Sequence, residues 1–156
     1  MNRPSIKATV YRIWKLKVPP RFKVFAWLLT YNKILTIDNL NRRGWSLVNR
    51  CIMCKAQSES VMHLFNECMQ AQILYRLIEL KMKVKVPRGI SYGSENTVQS
   101  LKEFKFSKKE RSILLITQFV IWRERCNRIF REENCNMLQL VEQVEAQWRY
   151  SSLTRA

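Results

Sequence analysis

The chain has 156 residues, 47% hydrophobic and 11% aromatic, with three glycines and four prolines, a composition that supports a buried core and excludes disordered, collagen-like and linker-like classes. Its 28 Lys+Arg against 12 Asp+Glu give a formal net charge of +16. Eleven of the twelve acids are Glu and Asp38 is the lone Asp, which excludes two-metal phosphoryl chemistry on paired aspartates.

The surplus charge is +10 in residues 1–50, +2 in 51–100 and +4 in 101–156. A basic N-terminal third suits an anionic partner, nucleic acid foremost. The longest apolar stretch, 113–122, is too short to cross a bilayer, and the N-terminus has no apolar signal run. The expectation is a soluble intracellular protein, in the nucleus or cytoplasm, with no membrane partner.

In chain order, the periodicity predicts a mainly α fold. A first helix over 8–17 is stopped by Pro19-Pro20, which pre-sets the start of a second over 21–35. The second has Phe22, Phe25, Ala26 and Leu29 apolar, with Trp27 and Leu28 widening the stripe, as expected of a central element. Thr36 can cap a short third helix closed by Gly44. After the cysteine region, a helix over 71–84 carries Ile73, Leu74, Leu77, Ile78 and Leu80. Residues 83–100, with Pro87 and two of the three glycines, read as a loop or linker. A long helix over 107–133 repeats Leu115, Phe119, Trp122, Cys126 and Ile129/Phe130, and a last helix over 136–149 repeats Met137, Leu140, Val141, Val144 and Trp148. The division is 8–82, a loop at 83–100, and a C-terminal helical region at 101–150. No strand alternation is evident beyond one small hairpin or loop at the cysteines.

Cys51, Cys54, His63 and Cys68 form the pattern C-x2-C-x8-H-x4-C. Three thiolates and an imidazole suit tetrahedral zinc, with Zn–S near ~2.3 Å and Zn–N near ~2.0 Å. Core cysteines with a satisfied core histidine are the bland alternative, yet these four ligand types fall within eighteen positions and include the single His of the chain. A disulfide is the other rival; five cysteines, an odd number, and no secretion signal argue against it. On an ideal helix His63 and Cys68 would point about 140° apart, so the helix must break or tighten near Asn66-Glu67. Four protein ligands close the shell, which makes the zinc structural, one ion per chain, holding 51–68 against the helices. With His63 consumed, no Ser-His or Cys-His couple can form, so an enzyme is not expected. Cys126 reads as a buried thiol and Cys135 as a turn residue.

Trp14, Pro19-Pro20, the Phe25-x-Trp27 pair, Leu35-Thr36, Leu40 with Arg42-Arg43, and the four ligands together resemble the zinc-binding domain downstream of the reverse transcriptase in plant LINE-type (non-LTR) retrotransposons. The resemblance covers about residues 8–80. The tract Trp122–Phe130 is similar to one further along in such elements, with Cys126 where an Asn is usual. The resemblance implies a retroelement module, or a host protein derived from one, that holds template nucleic acid. No Tyr-x-Asp-Asp motif accompanies it, so copying does not reside here.

The expected function is a non-catalytic nucleic-acid-binding module for RNA or single-stranded DNA. Lys15, Lys17, Arg21, Lys23, Arg42, Arg43, Arg50 and Lys55 are its candidate phosphate contacts. Trp45 could stack on a base, although a place in the core is the favoured reading for it. The alternatives are a zinc-stabilised scaffold that docks on a polymerase or another protein, and a decayed remnant with no activity of its own.

Overall fold

The computed structural model describes residues 12–90, 92 and 106–153. Residues 12–14 are helical and the Leu16 N–H closes a turn on the Ile13 carbonyl (3.1 Å). The start of the expected first helix, 8–11, lies outside the described residues.

Helix α1, Pro20–Thr30, begins at the proline pair and buries Phe22, Phe25, Ala26 and Leu29. It ends at Thr30, short of the expected Leu35, because Asn32 adopts the left-handed region (φ 54°). The Asn32 N–H bonds the Leu29 carbonyl (3.0 Å) and the Lys33 N–H the Leu28 carbonyl (2.8 Å), a Schellman closure built on asparagine rather than glycine. Buried Asn39 fixes that turn, its Nδ2 donating to the carbonyls of Asn32 (3.0 Å) and Ile34 (2.9 Å).

Helix α2, Ile37–Arg42, closes in the same manner on Gly44 (φ 98°), with Gly44 N–H on the Asn41 carbonyl (3.1 Å) and Trp45 N–H on that of Leu40 (3.2 Å). Its start differs from expectation. Thr36 holds the N-cap position, but its hydroxyl donates to the Asp38 carboxylate (2.5 Å), and the Ile37 N–H is taken by Glu59 Oε1 (2.8 Å).

Helices α3 (Met69–Met82), α4 (Lys108–Phe130) and α5 (Met137–Leu153) complete the framework. The buried face of α3 is Ala71, Leu74, Tyr75 and Ile78; Ile73 and Leu80, expected in the stripe, are exposed. Helix α4 starts on a capping box in which the Glu110 N–H donates to Ser107 Oγ (3.1 Å) and the Ser107 N–H to Glu110 Oε2 (3.2 Å). The central element is α4, not α1: it is buried almost all round from Ser112 to Ile121, while Ile129 and Phe130 emerge into solvent. Asn136 and Gln139 form a similar reciprocal pair at the start of α5 (2.8 and 2.9 Å), whose Leu140, Val141 and Val144 are buried as expected.

No strand forms among the described residues, so the cysteine region is a loop and not a hairpin. One apolar cluster runs from α1 to α5. Phe22 meets Phe119 edge-on at 4.6 Å between centroids, and Phe25 packs on Phe65 (6.1 Å) and Phe119 (5.5 Å). Within 83–100 the described part is irregular yet held to the core: Val86 and Ile90 are buried, and Asn66 Nδ2 donates to the Ile90 carbonyl (2.7 Å). No described helix is long and apolar enough to cross a membrane.

Candidate metal centre

The first two ligands sit on a tight knuckle. Cys51 N–H bonds the Gln57 carbonyl (2.7 Å), Lys55 N–H bonds the Cys51 carbonyl (2.8 Å), and Lys55 turns the chain with a left-handed φ of 58°. The backbone N–H groups of Met53 and Cys54 point to the Cys51 sulfur, the arrangement a C-x2-C turn exists to provide.

The last two ligands come from a short helical segment that Ser60 opens, its hydroxyl accepting from the His63 N–H (3.0 Å). From His63 to Glu67 the turn is π-type, and Cys68 N–H closes an i→i+5 bond on the His63 carbonyl (2.7 Å). The five-residue misfit is resolved by widening, not tightening, and the expected break follows one residue past Asn66-Glu67, at Cys68. The wider turn brings residue i+5 back over residue i. The chain then leaves the helical region at Cys68 (φ −60°, ψ 125°), which becomes the N-cap of α3. Its sulfur accepts from the backbone N–H groups of Gln70 and Ala71, at the end of a helix that favours negative charge.

The ligand atoms of Cys51, Cys54, His63 and Cys68 lie within 4.8 Å of one another. Cys51 Sγ and Cys68 Sγ are 4.0 Å apart, and Cys54 Sγ is 3.4 Å from His63 Nε2. A zinc tetrahedron with the usual bond lengths has S···S edges of about 3.8 Å and S···N edges of about 3.5 Å, so the set fits one such ion. The hydrogen bond to Cys51 and the helix N–H groups hold the Cys68 thiol below its ordinary range, while that same contact and burial push the Cys51 thiol up. Cys51, His63 and Cys68 are buried and Cys54 is half-buried. A shell closed by four protein ligands anchors structure and offers no position for substrate.

Residues 2–74 match the family described as zinc-binding in reverse transcriptase. Over that span the chain is similar to the zinc-binding domain of reverse transcriptases. Its cofactor is a single structural zinc, held by the cluster above. A protein of Arabidopsis thaliana named as a ribonuclease H protein is 35% identical over 66 residues, which are 42% of this chain and 11% of that relative. The chain thus aligns with about a tenth of the relative's length. No solved structure matches the chain.

The eight cations expected to meet phosphate lie on several elements. Arg42 and Arg43 end α2, and Arg50 and Lys55 flank the knuckle, all four exposed. Arg42 also bonds Asn39 Oδ1 (3.0 Å) and lies 3.5 Å from Asp38, and Arg50 Nε donates to the Lys55 carbonyl (2.7 Å). Arg21 turns toward α5, bonding Gln147 Oε1 (3.0 Å). Lys23 donates to the Trp14 carbonyl (3.0 Å) beside that indole, and Lys15 and Lys17 are exposed just ahead of α1. Trp45 is 62% exposed, which overturns its favoured placement in the core. The cause is Asn41, whose side-chain amide pairs with both backbone groups of Leu47 (2.9 and 3.1 Å) and holds the stretch after Gly44 away from the core.

Two residues of the site had no signal in the ligand pattern. Glu59, between Cys54 and His63, is 0% exposed and forms a forked ion pair with Arg125 of α4, itself 2% exposed (Nη2–Oε1 2.8 Å, Nε–Oε2 3.0 Å). Burial alone would lower the Arg125 pKa, but the hydrogen bonds and charge of Glu59 leave it raised. The one legible hint is that Glu59 is the lone acid between Asp38 and Glu67. Cys126 is a partly buried thiol that burial pushes up, in keeping with the inert reading.

Proposed function

We propose that this chain is a non-catalytic, zinc-stabilised module that holds RNA or single-stranded DNA inside the cell, in the nucleus or cytoplasm, and that it belongs to or derives from a LINE-type retroelement. The observation that carries the reading is the segment 42–55, which contains Arg42, Arg43, Arg50 and Lys55 and no acid. Those four cations are exposed, and the same segment carries an exposed indole, Trp45, and the metal knuckle. Cations that meet phosphate next to an aromatic face that accepts an unstacked base are the means by which single strands are bound without sequence choice. Lys15, Lys17, Arg21 and Lys23 form a second basic stretch around the start of α1.

The reading as a binder rather than an enzyme draws support from the side chains at hand. Among the described residues, the convergent group of three or more His, Cys, Asp or Glu is the zinc set itself, which has no carboxylate, and Asp38 is engaged by Thr36 and Arg42. The test is the salt dependence of binding to short RNA and single-stranded DNA. Six neutralised phosphates predict a slope of log K against log salt near about −4. The double change R42E/R43E should weaken binding by more than about tenfold with zinc retained. A flat salt dependence, or no binding at low salt, overturns the proposal.

A second reading, a scaffold that docks on a polymerase or another protein, is favoured by Met69, Ile73 and Leu80, which are all exposed along α3. It predicts that R42E/R43E leaves partner capture intact.

A further inference from the structure

Zinc ligands on a mobile loop bind weakly, so what holds the loop from Cys54 to His63 matters as much as the ligands. Within the loop's own neighbourhood, Asn49 pairs with both backbone groups of Glu59 (2.7 and 3.0 Å) and Arg50 with the Lys55 carbonyl (2.7 Å). The side chain of Glu59 reaches further. One oxygen accepts from the Ile37 N–H at the start of α2 (2.8 Å), and both oxygens accept the fork of Arg125. The guanidinium in turn lies over the Trp122 ring, 4.7 Å from its centroid. One buried carboxylate thus ties the zinc loop to α2 and to α4. Buried His63 Nδ1 itself has no hydrogen-bond partner among the described residues, so the ring is placed by the segment that carries it. In most metal centres such a partner fixes the ring.

We propose that Arg125 is a positioning residue for the zinc ligands. Acting through Glu59, it holds the loop so that Cys54 Sγ and His63 Nε2 stand one tetrahedron edge apart. The zinc-binding unit therefore extends past the matched span 2–74 to helix α4.

The test uses the full chain and measures the zinc dissociation constant by competition with a chromophoric chelator. Circular dichroism and the melting temperature are recorded on the same samples, and Co2+ absorption reports ligand geometry. Arg125→Met should weaken zinc by about 10- to 100-fold, the range seen when groups behind metal ligands are removed, and reduce the intensity of the tetrahedral Co2+ bands. Since Arg125→Met leaves the buried Glu59 carboxylate without a counter-ion and could unfold the chain, the charge-free pair Glu59→Gln with Arg125→Met is measured beside it; its zinc affinity should also fall tenfold or more. Ser107→Ala, a cap of α4 remote from the loop, supplies the comparison: it should lower the melting temperature and leave zinc affinity unchanged. A loss smaller than tenfold in either folded Arg125 variant overturns the proposal, whatever the melting temperature does.

Discussion

His63 shows how much one side chain can decide. It is the sole histidine of the chain, and the structure turns its Nε2 to within 3.4 Å of Cys54 Sγ. His63→Ala should abolish tight binding of one zinc per chain, read by metal analysis after dialysis, and lower the melting temperature. Retention of stoichiometric zinc would contradict the ligand set. Binding should also weaken as pH falls from neutral toward 5, because zinc must displace protons from three thiols and the imidazole. The four ligands are legible in the sequence because their spacing and chemistry are local to eighteen residues. Glu59 is not, because the Arg125 that gives it meaning is 66 positions away. Trp45 departs from expectation for a related reason: composition favours a buried indole, whereas its exposure is set by the amide of Asn41.

Helix ends and turns carry the next level of information. The closure of α2 is readable from Gly44 itself, whereas the end of α1 is hidden because Asn32 makes the same left-handed turn without a glycine. No atom lies within 4 Å of the place a Cβ on Gly44 would occupy, so Gly44→Ala tests backbone strain alone. It should cost about 1 kcal/mol, seen by denaturant unfolding of the zinc-loaded chain. A Gly44→Ala variant as stable as the parent would remove the conformational account of that turn. The π turn at His63–Glu67 is half legible. Helical geometry shows that five residues cannot bring two ligands together, but breaking, tightening and widening all remedy that, and the choice follows from the Cys68 N–H reaching the His63 carbonyl. The periodicity of α4 misleads in another way. A helix buried nearly all round has no single stripe, so a three-and-four spacing traced along it runs out to exposed Ile129 and Phe130.

Across the whole molecule, the matched span 2–74 ends inside α3, and its apolar side chains lean on later helices. Phe22 and Phe25 pack on Phe119, and Glu59 on Arg125, all contributed by α4. A chain cut after Met82 should therefore expose those aromatic rings and leave the Glu59 carboxylate without its counter-ion. It is expected to bind zinc loosely and to lack a cooperative thermal transition, measured by circular dichroism with and without zinc. A sharp transition equal to that of the full chain would show that the first half stands alone. The mainly α class and the order of helices are readable from periodicity, since each depends on near neighbours. The sharing of one core between the two halves is not, since it depends on which faces meet.

The burial of the ligands also sets how the metal can leave. Cys51, His63 and Cys68 are enclosed, and Cys54 alone reaches the surface. A chelator or oxidant is therefore expected to approach from the Cys54 side, so the exit of the bound ion should depend most on that one ligand.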